Sequence, residues 1–378
     1  MLISFSAATF LYRGILIPLF FPPYSSNDFR GVFYPTVKTL LSEGNLYTET
    51  YGYFYPPFSA FLIAPLTYVS VYVAEKIWFF ILLASLLSSF FLLVTSFSKR
   101  TFLFWALLFF VFSQFEPLYV ELSYYQVDLL ILWILIVAYR LEGKKLFFWS
   151  GFFLAIGASI KITPLFFLFY FLVTKKWKSI VGFFAGFLCC SLLALFLVGM
   201  KGWVDFFQIG IPRLLIGSSG NSLDQSFANS LVRIEEVLRG GEGLQKASPW
   251  VRTGSVAFSM SIIFSLWHFL KKGKHHPLGL EYAAVICAML LSATTMNETH
   301  LVLLLFPFLI LVSGLFHIPH HPKQMVLTSI AFVVVALHYG YNAPFLKEAL
   351  WTLPLAKAKF FGTCLAYLCC LSFLGEER

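Results

Sequence analysis

The chain alternates between long apolar stretches and short polar gaps. An apolar stretch of about 20 residues is long enough to cross the hydrocarbon core of a bilayer as a helix. The stretches are continuous rather than alternating, which predicts helices and argues against a membrane β-barrel. In order they predict spans at about 3–22, 71–95, 101–115, 127–139, 146–160, 164–173, 179–199, 251–270, 279–295, 301–316, 325–340 and 355–373. Those at 146–160 and 164–173 are too short to cross unaided, and short, broken spans line cavities rather than face lipid. The expected fold is all-α: a single polytopic membrane domain over residues 1–378, with about 12 transmembrane helices.

Two polar interruptions stand out. The first, at 23–57, carries Asp28 just beyond an apolar run. Phe33, Val37, Leu40 and Leu41 then recur at helical spacing while Lys38 and Glu43 fall elsewhere. That pattern predicts a short amphipathic helix lying in the membrane interface. Gly44 is placed to end it, Pro56-Pro57 turns the chain back toward the bilayer, and Pro65 marks a further break. The second interruption, at 200–250, is rich in Ser, Gly and Asn. It predicts a loop with one short helix at Leu231–Leu238.

Composition sharpens this picture. Of 378 residues, 59% are hydrophobic and only 12% charged, against roughly 25% charged in soluble domains. The net charge of +9 suggests nucleic acid only until its positions are read. The basic residues cluster between spans, at Lys99/Arg100, Arg140/Lys144/Lys145, Lys175/Lys176/Lys178 and Lys271/Lys272/Lys274. This is the positive-inside pattern, with anionic lipid headgroups as the partner and no nucleic acid. Both termini are then cytoplasmic. The gaps holding Asp28, Glu116/Glu121, Lys161, Asp224 and Asn297–His300 fall on the opposite face. The first run lacks a basic start and a small-residue cleavage site, so it reads as an uncleaved span. All six cysteines lie in apolar runs without a CxxC and read as small buried hydrophobes.

Polar groups at membrane depth are expensive, which makes each a candidate for function. Asp28 either caps the following helix or carries chemistry. Lys161, on the face that the positive-inside pattern leaves poor in cations, either snorkels or faces an anion such as a phosphate. His300 is either an interface histidine or a donor to a phosphate or sugar. Gln126 and Asp128 stand at a helix start. Arg13 pairs with a neighbouring helix or snorkels. Asn297-Glu298-Thr299 matches a glycosylation sequon but lies too near the bilayer to serve as one. His275/His276 and His317/His320/His321 lie in basic gaps without acidic partners, so no metal site is expected.

In their order and spacing these pieces resemble glycosyltransferase family 87, within the GT-C superfamily. The first loop has the family's look, with Asp28, Tyr34, Ser42–Tyr47 and then Tyr55, Pro56 and Pro57. Gln126-Val127 is similar to the family's Gly-Gln-Val/Asn motif, with Tyr125 standing where the family has glycine. Lys161 and Pro164 resemble its Lys-x-x-Pro motif. Gln225, Ser226 and Arg233 resemble its Gln-Ser…Arg loop. The segment through Asn297, Thr299 and His300 resembles one that ends in a His-His pair, of which His300 alone is present.

The resemblance implies a membrane glycosyltransferase using a polyprenyl-phosphate sugar, mannose in the named family activity, with a glycolipid or envelope glycan as acceptor. It implies Asp28 as general base, inversion at the anomeric carbon and no metal or other cofactor. It also implies substrate binding by Lys161, His300, Gln126, Arg233, Gln225, Tyr34, Tyr55 and Asn297. The place implied is a bacterial plasma membrane, with the site on its extracytoplasmic face. Two other readings stay open: a secondary transporter or lipid flippase, and an envelope polysaccharide polymerase or ligase.

Overall fold

A computed structural model describes residues 1–20, 27–42, 45–47, 53–97, 101–216, 224–239, 248–272, 277–317, 322–337 and 352–376. Gly44, Lys99/Arg100, Lys274, His275/His276 and His320/His321 lie outside the described residues, as does the side chain of His317. The chain is an all-α polytopic membrane protein. Among the described residues there is no strand, only an isolated antiparallel bridge between Asp224 and Asn297. Among the described residues, five helices are long and apolar enough to cross a membrane: Leu2–Phe20, Val71–Val94, Trp177–Leu214, Pro249–Lys271 and Glu298–Leu315. Phe102–Ser113 and Glu116–Tyr124 together meet the same test across a 46° bend.

The described residues form two compact units. One comprises Met1–Ala7, Lys99–Leu118 and Ile216–Arg378, and the other Ala8–Ser98 and Tyr119–Leu215. In the second, the Val71–Val94 helix buries Trp78, Leu82, Ser85 and Ser89 along one stripe and leaves Phe80, Leu87 and Phe91 exposed on the opposite one. That division suits a helix with protein on one side and acyl chains on the other. The Phe147–Ile160 and Trp177–Asp205 helices approach backbone to backbone. A Cβ at Gly151 would collide with the Ser179 carbonyl, and one at Gly182 with that of Phe148. Without a hydrophobic drive between helices in lipid, such small-residue contact is what holds them together.

The first-loop helix forms as expected. A π-helical turn, Phe29–Phe33, runs into Tyr34–Leu41. Phe33 and Val37 are buried within the protein rather than lying on lipid, while Lys38 and Leu41 are exposed. Arg13 lies over the Tyr119 ring, 4.3 Å from its centroid, so the charge meets a neighbouring helix through a cation–π contact.

The second interruption departs from expectation. Residues 200–216 are not loop. They continue the Trp177–Asp205 helix through a π-turn, Phe206–Gly210, into Ile211–Ile216. Gly199 breaks the run at φ 64°, ψ −178°. The helix at Phe227–Leu238 matches expectation, capped by Ser226 accepting from the Asn229 N–H at 3.1 Å. All six cysteines are free. Cys189, expected to be buried, is exposed on its helix.

Candidate active site

Asp28 opens the first-loop helix without capping it. The cap comes from Asn27, whose Oδ1 accepts the Arg30 N–H at 2.9 Å. That leaves the Asp28 carboxylate for a tertiary partner, the side-chain amide of Gln126, which donates to it. The amide cannot be reversed without loss. Gln126 Oε1 accepts from the Tyr55 hydroxyl at 2.9 Å and from the Val127 N–H at 3.3 Å, so its NH2 faces Asp28.

Two more acids lie close by. Lys161 donates to both oxygens of Asp128, at 2.8 and 2.6 Å. Glu121 accepts the Leu129 N–H at 3.2 Å. Burial raises the Asp28 carboxyl above its ordinary 3.8, while the Gln126 hydrogen bond and the Lys161 charge pull it part of the way back. Burial, with the charges of Asp128, Asp28 and Glu121 around it, pushes the Tyr55 phenol well up, so it stays a hydrogen-bond donor. Aromatic rings wall the cluster: Phe33 meets Tyr55 at 4.9 Å, and Tyr53 meets it at 5.6 Å.

The residue before Gln126 is unusual. Tyr125 has φ 57°, in the left-handed region that suits glycine. It is held there from two sides. Its hydroxyl donates to the Pro18 carbonyl at 2.7 Å, and its own carbonyl accepts from Trp78 Nε1 at 2.9 Å. The glycine of the motif that Tyr125-Gln126-Val127 resembles therefore has a conformational reason, and here side-chain contacts take its place.

The other unit holds a different polar cluster, built where three segments meet. Asp224 Oδ1 accepts the Ser226 and Met296 N–H groups, each at 2.8 Å. The Gln225 N–H donates to the Met296 carbonyl at 2.8 Å, and Gln225 Nε2 to that of Ala356 at 3.2 Å. Lys357 donates to the Asp224 carbonyl and to Asn229 Oδ1, both at 2.5 Å. Lys359, fully buried, pairs with Glu298. These ties hold the 3-10 turn Glu298–Leu304 that carries His300.

The candidate residues thus divide. Asp28, Gln126, Tyr55 and Lys161 form one connected cluster. Tyr34 lies in the same unit, but its hydroxyl donates to the Val69 carbonyl at 2.7 Å. In the other unit, Gln225 and Asn297 belong to the three-segment tie. Arg233 bonds Glu236 at 3.3 Å, and the His300 N–H donates to the Asn297 carbonyl at 3.0 Å. Sequence reasoning passed over Glu75, Lys357 and Lys359 altogether. Their signal was simply a charge inside or beside an apolar run.

A family model, glycosyltransferase family 87, matches residues 53–294. The chain belongs to glycosyltransferase family 87. It is a membrane glycosyltransferase that binds a sugar donor and an acceptor. The family 87 match takes in Tyr55, Gln126, Lys161, Gln225 and Arg233. It begins after Asp28 and ends before Asn297 and His300. Searches of curated proteins and of solved structures found no match to the enzyme.

Proposed function

We propose that this enzyme moves a sugar, mannose in the simplest case, from a polyprenyl-phosphate donor to a lipid-linked or envelope glycan acceptor, with Asp28 as general base. The observation that carries the reading is the state of Asp28: a partly buried carboxylate, relieved of capping by Asn27 and presented by an amide locked in one orientation. A base needs a carboxylate that accepts, and a donor aimed at it favours that form.

In the step proposed, an acceptor hydroxyl oxygen attacks the anomeric carbon and its proton passes to Asp28. The bond from that carbon to the phosphate oxygen breaks, and its electrons leave with polyprenyl phosphate. Attack opposite the leaving group inverts the configuration. Lys161 answers the charge that grows on the leaving phosphate, and its pairing with Asp128 holds the ammonium in place meanwhile. His300, Arg233, Gln225 and Asn297 enter as substrate contacts through the family resemblance alone. The site belongs on the extracytoplasmic face of a plasma membrane, and the transfer uses no metal or other cofactor.

The test uses purified enzyme in liposomes supplied with polyprenyl-phosphate-mannose, other polyprenyl-phosphate sugars and nucleotide sugars, with sugar transfer and released polyprenyl phosphate as readouts. Asp28→Asn should lower turnover by roughly 10²–10⁴-fold, the usual worth of a general base. The variant should stay folded, since it loses only a carboxyl whose ionisation burial opposes. Wild-type turnover by Asp28→Asn would remove Asp28 from the chemistry. Transfer from a nucleotide sugar alone would remove the lipid-phosphate donor.

A further inference from the structure

The residues on either side of Asp28 are tied to one acid outside the cluster described so far. Glu75 sits in the first turns of the Val71–Val94 helix and is 2% exposed. Its Oε1 accepts from Asn27 Nδ2 at 2.5 Å, and its Oε2 pairs with the Arg30 guanidinium. Asn27 in turn accepts the Arg30 N–H at 2.9 Å, which closes a circuit of three residues around Asp28. Arg30 also lies over the Tyr72 ring, 4.9 Å from its centroid.

One helical turn beyond Glu75, on the same face, stands Trp78. Its ring stacks on Phe29 at 5.8 Å and 21°. Its Nε1 donates to the Tyr125 carbonyl at 2.9 Å, immediately before Gln126. One edge of a single apolar helix therefore grips both partners of the Asp28–Gln126 contact. Glu75 fixes the chain at the positions one before and two after Asp28, and Trp78 fixes the chain next to Gln126.

A carboxylate buried at this depth needs charge and hydrogen-bond partners, and it finds both in the residues flanking the proposed base. A π-helical turn begins at Phe29. Such turns widen the helix and recur at functional sites, so the backbone there needs an external brace to hold one rotation.

We propose that Glu75 is a positioning residue for glycosyl transfer. It holds Asn27 and Arg30 so that the Asp28 carboxylate stays on the Gln126 amide and aimed at the acceptor hydroxyl. This rests on the reading of Asp28 as the base. Glu75 acts through Asp28 and touches neither substrate.

Glu75→Gln, Arg30→Lys, the double variant Arg30→Gln/Glu75→Gln and Asp28→Asn separate the two claims. Each is assayed in liposomes with polyprenyl-phosphate-mannose, with turnover normalised to folded enzyme. Glu75→Gln should lower kcat by about 10- to 100-fold, the scale of a misplaced catalytic group, with the donor KM changed less than about twofold. Its acid limb should move, because the loosened Gln126 bond no longer favours the charged Asp28 while the unmatched Arg30, two residues on, now does. The double variant, which removes the unmatched arginine, should recover part of that kcat. Arg30→Lys keeps the charge on Glu75 and should lower kcat severalfold. It decides the matter if Glu75→Gln does not fold.

Wild-type kcat and acid limb in folded Glu75→Gln, or wild-type kcat in Arg30→Lys where Glu75→Gln does not fold, overturn the positioning role provided Asp28→Asn is inactive. An active Asp28→Asn instead overturns the reading of the base, whatever Glu75 does.

Discussion

The two polar clusters are made of the same residue types and are bonded differently. Around Asp28, three carboxylates stand near one ammonium, and the capping duty that would occupy Asp28 has passed to Asn27. Around Asp224, the acid is used up in structure. It takes two backbone N–H groups, its carbonyl takes Lys357, and Gln225 and Lys359 tie the same segments again. What separates the proposed base from a scaffolding acid is therefore the identity of its donors. Backbone donors mean that the acid is shaping the chain. A side-chain amide that is itself held by others means that the chain is shaped around the acid.

Three substitutions sharpen that contrast. The largest effect should come from Lys161→Met, which leaves Asp128 buried and unpaired, at a cost of roughly 3–5 kcal/mol. Thermal unfolding in detergent should show it, and Lys161→Met/Asp128→Leu should recover most of the loss. If the double variant is stable and active, Lys161 serves the fold and not the phosphate.

Next is Lys357→Met, which strips a donor from the Asp224 carbonyl and Asn229 and should cost about 1–3 kcal/mol. Thermal unfolding in detergent should show the loss, and an unchanged midpoint would remove Lys357 from the three-segment tie.

The smallest effect should come from Gln126→Leu, read on activity. Removing the amide leaves burial to raise Asp28 with less opposition. The acid limb of kcat should then move to higher pH, and turnover well above it should fall about 10-fold, the low end of the Glu75→Gln loss, because Asp28 loses the amide that aims it while Glu75 still holds Asn27 and Arg30. An unmoved limb would break the link between Gln126 and the base.

Much of this was legible from the chain alone. The apolar runs located the long helices at Val71–Val94 and Pro249–Lys272, and the helical spacing of Phe33 and Val37 found the first-loop helix. The helix expected at Leu231–Leu238 begins four residues earlier, at Phe227, because Ser226 caps it, and Ser226 was matched to a loop motif rather than read as a cap. Other features depend on distance along the chain. Lys161 and Asp128 were each noticed, but 33 positions separate them and no local pattern joins them. Glu75 was invisible for a related reason: it reads as one charge at the start of a span until Asn27 and Arg30 are folded onto it. The helix past Gly199 was misread because its π-turn, Phe206–Gly210, breaks the 3.6-residue rhythm by which helices are recognised. The left-handed Tyr125 leaves no trace in its own identity, and only the glycine of the motif that Tyr125-Gln126-Val127 resembles hints at it.

Gly199 has a further consequence. A methyl group there would meet nothing within 4 Å, so room is not what excludes other residues. Its backbone angles, φ 64° and ψ −178°, belong to a region reached essentially by glycine alone among natural residues. Reflected, the same angles are ordinary extended backbone. The position therefore discriminates by chirality rather than by bulk: L-alanine is strained there, and its mirror image, D-alanine, is at ease.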